Sequence, residues 1–237
     1  MTKIRYLIPF LALMLTLGVV SAQPANIVSY YPVYLNNTQT SATPAPFQAM
    51  ITANLSTMSN ITYSSSFSNM EFYYPSNNTI IPSWIESNSS GNLTIWLNIS
   101  AGIPASTNET VDMGLSNSTT NMLNNSTNGE APQLSSTYAE YDDGASVFSF
   151  YDNFKGTSLN TSKWGYAASS GGTATVNNGL TIAGSSTWNF VVSKTGYNPQ
   201  TYIADTYGYA SSTATEQGAD FGWVGGSPGI GEEVCNT

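Results

Sequence analysis

The strongest constraint on the fold is a two-residue alternation of apolar and polar side chains. In segment 93–99, Leu, Ile, Leu and Ile alternate with Thr, Trp and Asn. This period is typical of a strand with one buried and one solvent-facing side. Similar runs occur at 47–55, 70–74, 80–86 and 110–115, separated by Ser, Asn, Gly and Pro. Since no segment of the mature chain shows a sustained 3.6-residue apolar repeat, we predict an all-β protein whose 47–139 region is a β-sandwich.

The character of the sequence changes after Tyr138, where glycines increase and lysines appear. We place a domain boundary near residue 140, after a Ser/Asn/Thr-rich loop at 116–137. Segment 145–154 is predicted to be a strand that enters the second domain. A hairpin is predicted at 175–182, because Asn178-Gly179 suits the positive-φ positions of a type I′ turn. Further strands are predicted at 188–193, 200–207 and 219–224.

The N-terminus has the three-part layout of a secretory signal peptide over residues 1–22. Lys3 and Arg5 precede an apolar run from residue 6 to 20, and small residues precede a cleavage point after Ala22. The apolar run is short for a membrane span, so the membrane is expected to be a partner only during export. Residues 23–46 are interpreted as a linker or a first edge strand, interrupted at Pro32. The alternative is that 26–35 adds a strand to a neighbouring subunit.

Charged side chains make up only 8% of the chain, and their distribution is uneven. The net charge is −9, and there is no Lys or Arg from Tyr6 to Phe154. Such a surface repels phosphate backbones, which excludes nucleic acids as partners. The chain has no histidine, the commonest general base and metal ligand. Its single cysteine, Cys235, cannot form an internal disulfide.

Asn-x-Ser/Thr sequons are twice as frequent as the composition predicts. The mature chain has 24 Asn and 12 sequons, whereas a Ser plus Thr content of roughly a quarter predicts about six. Eleven of the 15 Asn between Asn36 and Asn125 begin sequons, against one of the eight that follow. We therefore expect glycosylation, mainly of the first domain. The candidate acceptors are Asn36, Asn54, Asn60, Asn77, Asn88, Asn92, Asn98, Asn108, Asn117, Asn124, Asn125 and Asn160.

Several motifs resemble a known pair of domains. Four segments of the first domain carry one resemblance: Met-Glu-Phe-Tyr-Tyr at 70–74, Ile-Pro-Ser-Trp-Ile-Glu at 81–86, the Trp-bearing strand 93–99 and Ile-Pro-Ala at 103–105. These segments resemble an uncharacterised surface domain of archaea and bacteria. Members of that family often continue into a concanavalin-A-like jelly roll. The junction between the two domains resembles Val-Phe-Ser-Phe-Tyr-Asp-Asn-Phe at 147–154 of this chain. Segments 159–164 and 176–180 are similar to the opening of that jelly roll. The resemblance implies a jelly roll over 140–237, which we expect to be incomplete because such folds are longer.

Two kinds of binding site are candidates. Concanavalin-A-like domains often bind Ca²⁺, and Asp142, Asp143 and Asp152 would supply the hard oxygen ligands. The alternative is that these carboxylates lie in solvated turns, since Asp142-Asp143-Gly144 is a turn-forming sequence. Exposed aromatic rings could stack on sugars, and the candidates are Trp96, Trp188 and Trp223. The alternative for these rings is packing in the core or at an interface.

The sequence contains no recognisable catalytic set. Gly-Gly-Ser-Pro-Gly at 225–229 matches a hydrolase elbow, but that elbow requires a His partner. Jelly-roll glycanases carry an alternating pattern of acidic residues on one strand. The nearest acidic residues of this chain do not show that pattern: they are Glu140, Asp142, Asp143 and the pair Glu232-Glu233.

We therefore expect an exported surface or secreted glycoprotein with a structural or adhesive role, whose partners are glycans or neighbouring surface proteins. The alternatives are a filament subunit assembled by strand addition and a fragment of a polysaccharide-degrading enzyme.

Overall fold

The computed structural model describes residues 23–54, 62–89, 91–168, 171–184, 189–198, 202–208, 218–222 and 231–235. The chain divides into two compact units between Tyr151 and Asp152. The division falls after the boundary expected near residue 140, because residues 141–151 pack on the first unit, as described below. The predicted signal peptide, 1–22, lies outside the described residues.

The first unit is a sandwich of two sheets, as the alternation predicts. One sheet has the order β1-β6-β3, from β1 (Ser29–Asn37), β6 (Thr107–Leu115) and β3 (Met70–Tyr73). The other has the order β2-β5-β4-β7, from β2 (Phe47–Asn54), β5 (Asn92–Ile99), β4 (Ser83–Ser89) and β7 (Asn128–Glu130). All pairs are antiparallel except β4 with β7. The predicted all-β fold and the five strands expected in this unit are confirmed.

The side chains of β5 are arranged as its alternation predicts. Leu93, Ile95, Leu97 and Ile99 are at most 1% exposed, whereas Asn92, Trp96 and Asn98 lie on the other side of the strand. Residues of both sheets, including Phe72, Val111 and Ile95, form one apolar core. Burial of this face supplies the main driving force for the sandwich.

Residues 29–37 form an edge strand of their own sandwich. β1 pairs with β6 of the same chain over nine positions, from Ser29 opposite Leu115 to Asn37 opposite Thr107. Pro32 lies within the strand, where an edge position tolerates the missing N–H. The segment proposed as a donated tail is thus paired within its own chain in this structure.

Two segments of the first unit differ from expectation. Residues 145–154 were predicted to form a strand, but Gly144–Val147 is a single helical turn, α1, and no strand follows it up to Phe154. The prediction is wrong because Phe148 packs against tryptophans of the neighbouring sheet, which turns the segment back onto that sheet. The predicted loop 116–137 contains the short strand β7, which pairs with β4 from Ser83–Asn128 to Ile85–Glu130.

The second unit consists of antiparallel strand pairs in its described part. β8 (Trp164–Ala168) pairs with β11 (Asn189–Ser193), and β12 (Gly218–Gly222) pairs with β13 (Gly231–Cys235). β9 (Thr173–Val176) and β10 (Leu180–Ala183) form the predicted hairpin. Its loop has three residues, and Asn178 and Gly179 have the expected positive φ angles of 50° and 132°. No strand occurs in 202–208, which contradicts most of the strand expected at 200–207. The jelly-roll topology stays a prediction.

Candidate functional sites

The described sequon asparagines lie on the surface of the protein. None is buried, and Asn60 lies outside the described residues. Asn88, Asn98 and Asn124 are half-buried. The exposed acceptors are Asn36, Asn54, Asn77, Asn92, Asn108, Asn117, Asn125 and Asn160. A glycan at these eight positions would project into solvent.

The buried asparagines of the first unit, by contrast, do not begin sequons. Asn37, Asn69 and Asn128 are 5%, 0% and 3% exposed. Asn37 Nδ2 donates to the carbonyl oxygens of Ser41, Ile103 and Pro104 at 2.9, 3.1 and 3.0 Å. Asn69 and Asn128 bond to backbone carbonyls in the same way. The fully buried asparagines, which bond to backbone, thus differ in sequence type from the exposed asparagines that are available for modification.

Three of the sequons in the described part of the chain adopt Asx turns, in which the asparagine oxygen accepts a hydrogen bond from the residue two positions later. Asn77 Oδ1 accepts from the Thr79 amide at 2.9 Å. Asn124 Oδ1 accepts the amide and the hydroxyl of Ser126 at 2.9 and 2.8 Å. Asn160 accepts both groups of Ser162, at 3.1 and 2.7 Å. In the last two sites the acceptor asparagine and the obligatory hydroxyl residue are therefore held in direct contact.

Asn98 differs from the other sequons on its sheet. Its Nδ2 atom donates to the Ser146 carbonyl oxygen of α1 at 2.8 Å, and its Oδ1 atom is buried without a partner. The nitrogen that would carry a glycan is thus occupied by a contact with another segment of the fold.

Trp96, the one candidate sugar-stacking residue in the described part of the chain, belongs to an aromatic cluster. Its ring meets Phe148 edge-on with centroids 5.4 Å apart, and its Nε1 donates to Glu86 Oε2 at 2.6 Å. Phe148 also meets Trp84 edge-on and stacks with Tyr151, at 5.3 and 5.9 Å. The Trp96 ring is half-buried, as the packing alternative expected. Trp188 and Trp223 lie outside the described residues.

Two of the three carboxylates proposed as calcium ligands, those of Asp142 and Asp152, accept hydrogen bonds from protein donors. Asp142 Oδ1 accepts a hydrogen bond from Trp84 Nε1 at 2.9 Å. The Tyr151 hydroxyl oxygen lies 2.9 Å from Asp142 Oδ1 and 2.8 Å from Oδ2, and donates to this carboxylate. In the second unit, Asp152 accepts from the Phe154 amide and from Trp164 Nε1, both at 2.8 Å. These oxygens already serve N–H and O–H donors. Among the described residues no group of three or more acidic, Cys or His side chains is placed to hold a metal ion.

Asp143 has a different environment from the solvated turn expected of it. It is 2% exposed, and neither carboxylate oxygen has a hydrogen-bond partner. Burial, reinforced by the charge of Asp142, raises the pKa of Asp143 to about 8. Sequence reasoning missed this burial because Asp-Asp-Gly is locally a turn sequence.

Two other buried acids were missed for a similar reason. Asp112 lies opposite Pro32 of β1 and Tyr73 of β3, and is 5% exposed, although the alternation of β6 places it on the outer side of the sheet. Glu130 is also 5% exposed and accepts from the Ser135 hydroxyl at 2.6 Å. Burial raises the pKa of both carboxyls. Their depth depends on chain segments distant in sequence, which alternation alone does not identify.

The motifs considered for catalysis do not form a site in the described part of the chain. Glu140 is exposed, and Asp142 is bonded within the aromatic cluster. Segment 225–229 lies outside the described residues, and for Glu232 and Glu233 only the backbone of β13 is described. No described helix is long and apolar enough to span a bilayer.

Comparison with known proteins gives one similarity. The chain is 37% identical over 129 residues to Uncharacterized protein 562 of Sulfolobus islandicus rod-shaped virus 1. The match covers 53% of this chain and 22% of the viral protein, so the chain spans less than a quarter of that relative's length. No family model and no solved structure matches.

Proposed function

We propose that this chain is the Asn-glycosylated, outward-facing part of an exported surface protein with a structural or adhesive role. The observation that carries the proposal is the sorting of asparagines in the first unit. Ten of its described asparagines begin sequons and none of these is buried, whereas three of the six without sequons are buried and bonded to backbone. A sequence that formed sequons only by composition would not distribute them by burial.

The charge distribution supports the same role. A surface without basic residues from Tyr6 to Phe154 and with few acids has little charge to keep it soluble. Glycans on exposed asparagines would provide the missing hydration. The viral relative is uncharacterised, so it adds no activity, and the proposal assigns no reaction to the chain.

The test is to express the full-length gene in a host with an Asn-glycosylation pathway and to map glycopeptides of the exported protein by mass spectrometry. We expect glycans at several of the eight exposed sequons. Asn117-Ser118-Thr119 offers a matched pair of variants. Thr119→Ala should abolish the glycan at Asn117, whereas Ser118→Ala, which leaves the sequon intact, should retain it. Exported protein without a glycan at any sequon would refute the proposal.

A further inference from the structure

The first unit buries three carboxyl groups without a basic residue to balance them. Asp112, Glu130 and Asp143 are 5%, 5% and 2% exposed. The sequence places no Lys or Arg between Tyr6 and Phe154. An ionised carboxylate at such depth is strongly destabilising unless a cation or several donors stabilise it, whereas a neutral carboxylic acid costs far less.

Asp143 has the most restricted environment of the three. It precedes α1 but does not cap it; the Gly144 amide instead donates to Asp142 Oδ1 at 3.1 Å. The Asp143 side chain turns inward against β7, where its Oδ1 lies 2.2 Å from the position that a Cβ on Gly129 would occupy. Both carboxylate oxygens are buried and unpartnered.

The groups described around these acids bring no positive charge, and the donor that favours an ionised form at Glu130 is the neutral Ser135 hydroxyl. Asp142 and Tyr151 are the titratable groups that act on Asp143, and its contact on β7 is the uncharged Gly129. Glu130 is next to the Ser135 hydroxyl and is also affected by the charge of Glu140.

Asp112 has Tyr73 of β3 on one side and faces Pro32 of β1 on the other. Every neighbour named for the three acids is either acidic or uncharged at neutral pH.

We propose that the first unit is an acid-stabilised fold, in which the buried and unpartnered Asp143 is carried as a neutral carboxylic acid, Asp112 and Glu130 are buried without a cation, and stability falls as the pH rises towards and beyond neutrality. A carboxyl that is held protonated by the fold contributes stability that is complete below its unfolded pKa, about 4. This contribution is lost as the pH rises through the folded pKa, which is about 8 for Asp143. The stability should therefore fall between about pH 4 and pH 8.

The experiment compares thermal unfolding of the full chain at about pH 4.5 and about pH 8. Hydrogen exchange of peptides from 107–151 assigns the transition to the first unit. Asp143→Asn replaces the neutral acid by a neutral group of the same shape. Glu109→Gln removes one charge from a half-buried position of the same unit, where the carboxylate acts on Tyr74 and not on the three acids, and is the matched control.

We expect the wild-type Tm to be higher at the acidic pH by about 5 °C or more. Asp143→Asn should raise the Tm at the alkaline pH and have little effect on the Tm at the acidic pH. The difference between the two Tm values should therefore fall to about half of that in the wild type. Glu109→Gln should preserve most of the difference between the two Tm values. The infrared band of a protonated carboxyl should persist in the wild type at about pH 6 and weaken in Asp143→Asn.

Three results would overturn the proposal. The first is a wild-type Tm that is equal or higher at the alkaline pH. The second is an Asp143→Asn variant whose Tm falls at the alkaline pH by as much as at the acidic pH or by more, which would show that ionisation of Asp143 does not destabilise the fold. The third is a rise in Tm on adding Ca²⁺ at the alkaline pH that is absent in Asp143→Asn, which would make Asp143 a cation ligand.

Discussion

Asn92 and Asn98 lie on the same side of β5 and both begin sequons, yet their amides have different surroundings. Asn92 is exposed, and its Nδ2 donates to the Ser89 carbonyl oxygen in a long bond of 3.3 Å. Asn98 Nδ2 donates to Ser146 O at 2.8 Å across 48 residues of sequence. The same sequence motif can thus provide an acceptor for modification at one position and a tertiary contact at the next.

We expect Asn98 to be unmodified in the folded protein and to stabilise the docking of α1. In protein produced without glycans, Asn98→Asp should place a carboxylate against the Ser146 carbonyl oxygen and lower the free energy of unfolding by about 2 kcal/mol at neutral pH. Asn92→Asp, the same change at an exposed position of the same strand, should stay within about 0.5 kcal/mol. Chemical denaturation measures both. Equal effects, or a glycan found on Asn98, would contradict this assignment.

At the scale of elements, residues 142–151 are held to the sheet by one acid and the aromatic cluster. Asp142 links the Trp84 indole to the Tyr151 hydroxyl, and Phe148 fills the space between Trp84 and Trp96. The single turn of α1 is too short to be stable without such contacts.

Tyr151→Phe should therefore weaken the docking of this segment with little change to the main sheets. Loss of the hydroxyl leaves Asp142 with fewer donors and should cost about 1–2 kcal/mol, since hydrogen bonds to charged groups are stronger than neutral ones. Hydrogen exchange of the 142–151 peptide should accelerate while peptides from β5 change little. Tyr34→Phe, at a side chain that is 66% exposed, is the control and should have almost no effect. Uniform acceleration across the unit would show that the contact has no local role.

The strands with regular alternation were predictable, whereas α1 and β7 were not. In β2 and β5 the buried and exposed sides follow directly from the period of two. The α1 segment contains the same apolar residues as a strand, but Phe148 and Tyr151 contact Trp84 more than 60 residues away, which no local pattern encodes. β7 is Asn-Gly-Glu, a sequence of low strand propensity that pairs with β4.

Of the candidate sites, too, some could be predicted from the sequence and others could not. Sequons are visible in the sequence because their chemistry is local, and most of the described ones are exposed. The burial of Asp143 could not be predicted, since it depends on Gly129 offering no Cβ at the point that the carboxylate occupies.

For the whole molecule, the proposed acid stability and the proposed glycosylation both bear on how soluble the protein is at acidic pH. The sequence pI is about 4.1, so the net charge approaches zero in the acidic range in which we expect the fold to be most stable. A folded protein near zero net charge tends to associate and precipitate. The edge strand β1 carries no charged residue and has exposed aromatic side chains, including Tyr30 and Tyr34. These side chains would favour that association.

Glycans should therefore determine whether the acid-stable protein is also soluble. We expect unglycosylated protein to show a pronounced solubility minimum near pH 4 and the glycosylated form to show a shallow one or none. Both forms should retain the same β-sheet circular dichroism at that pH, because the loss is one of solubility and not of folding. The measurement is the concentration remaining in solution across the pH range for the two forms. If the unglycosylated protein stays equally soluble near its pI, the glycans have another purpose.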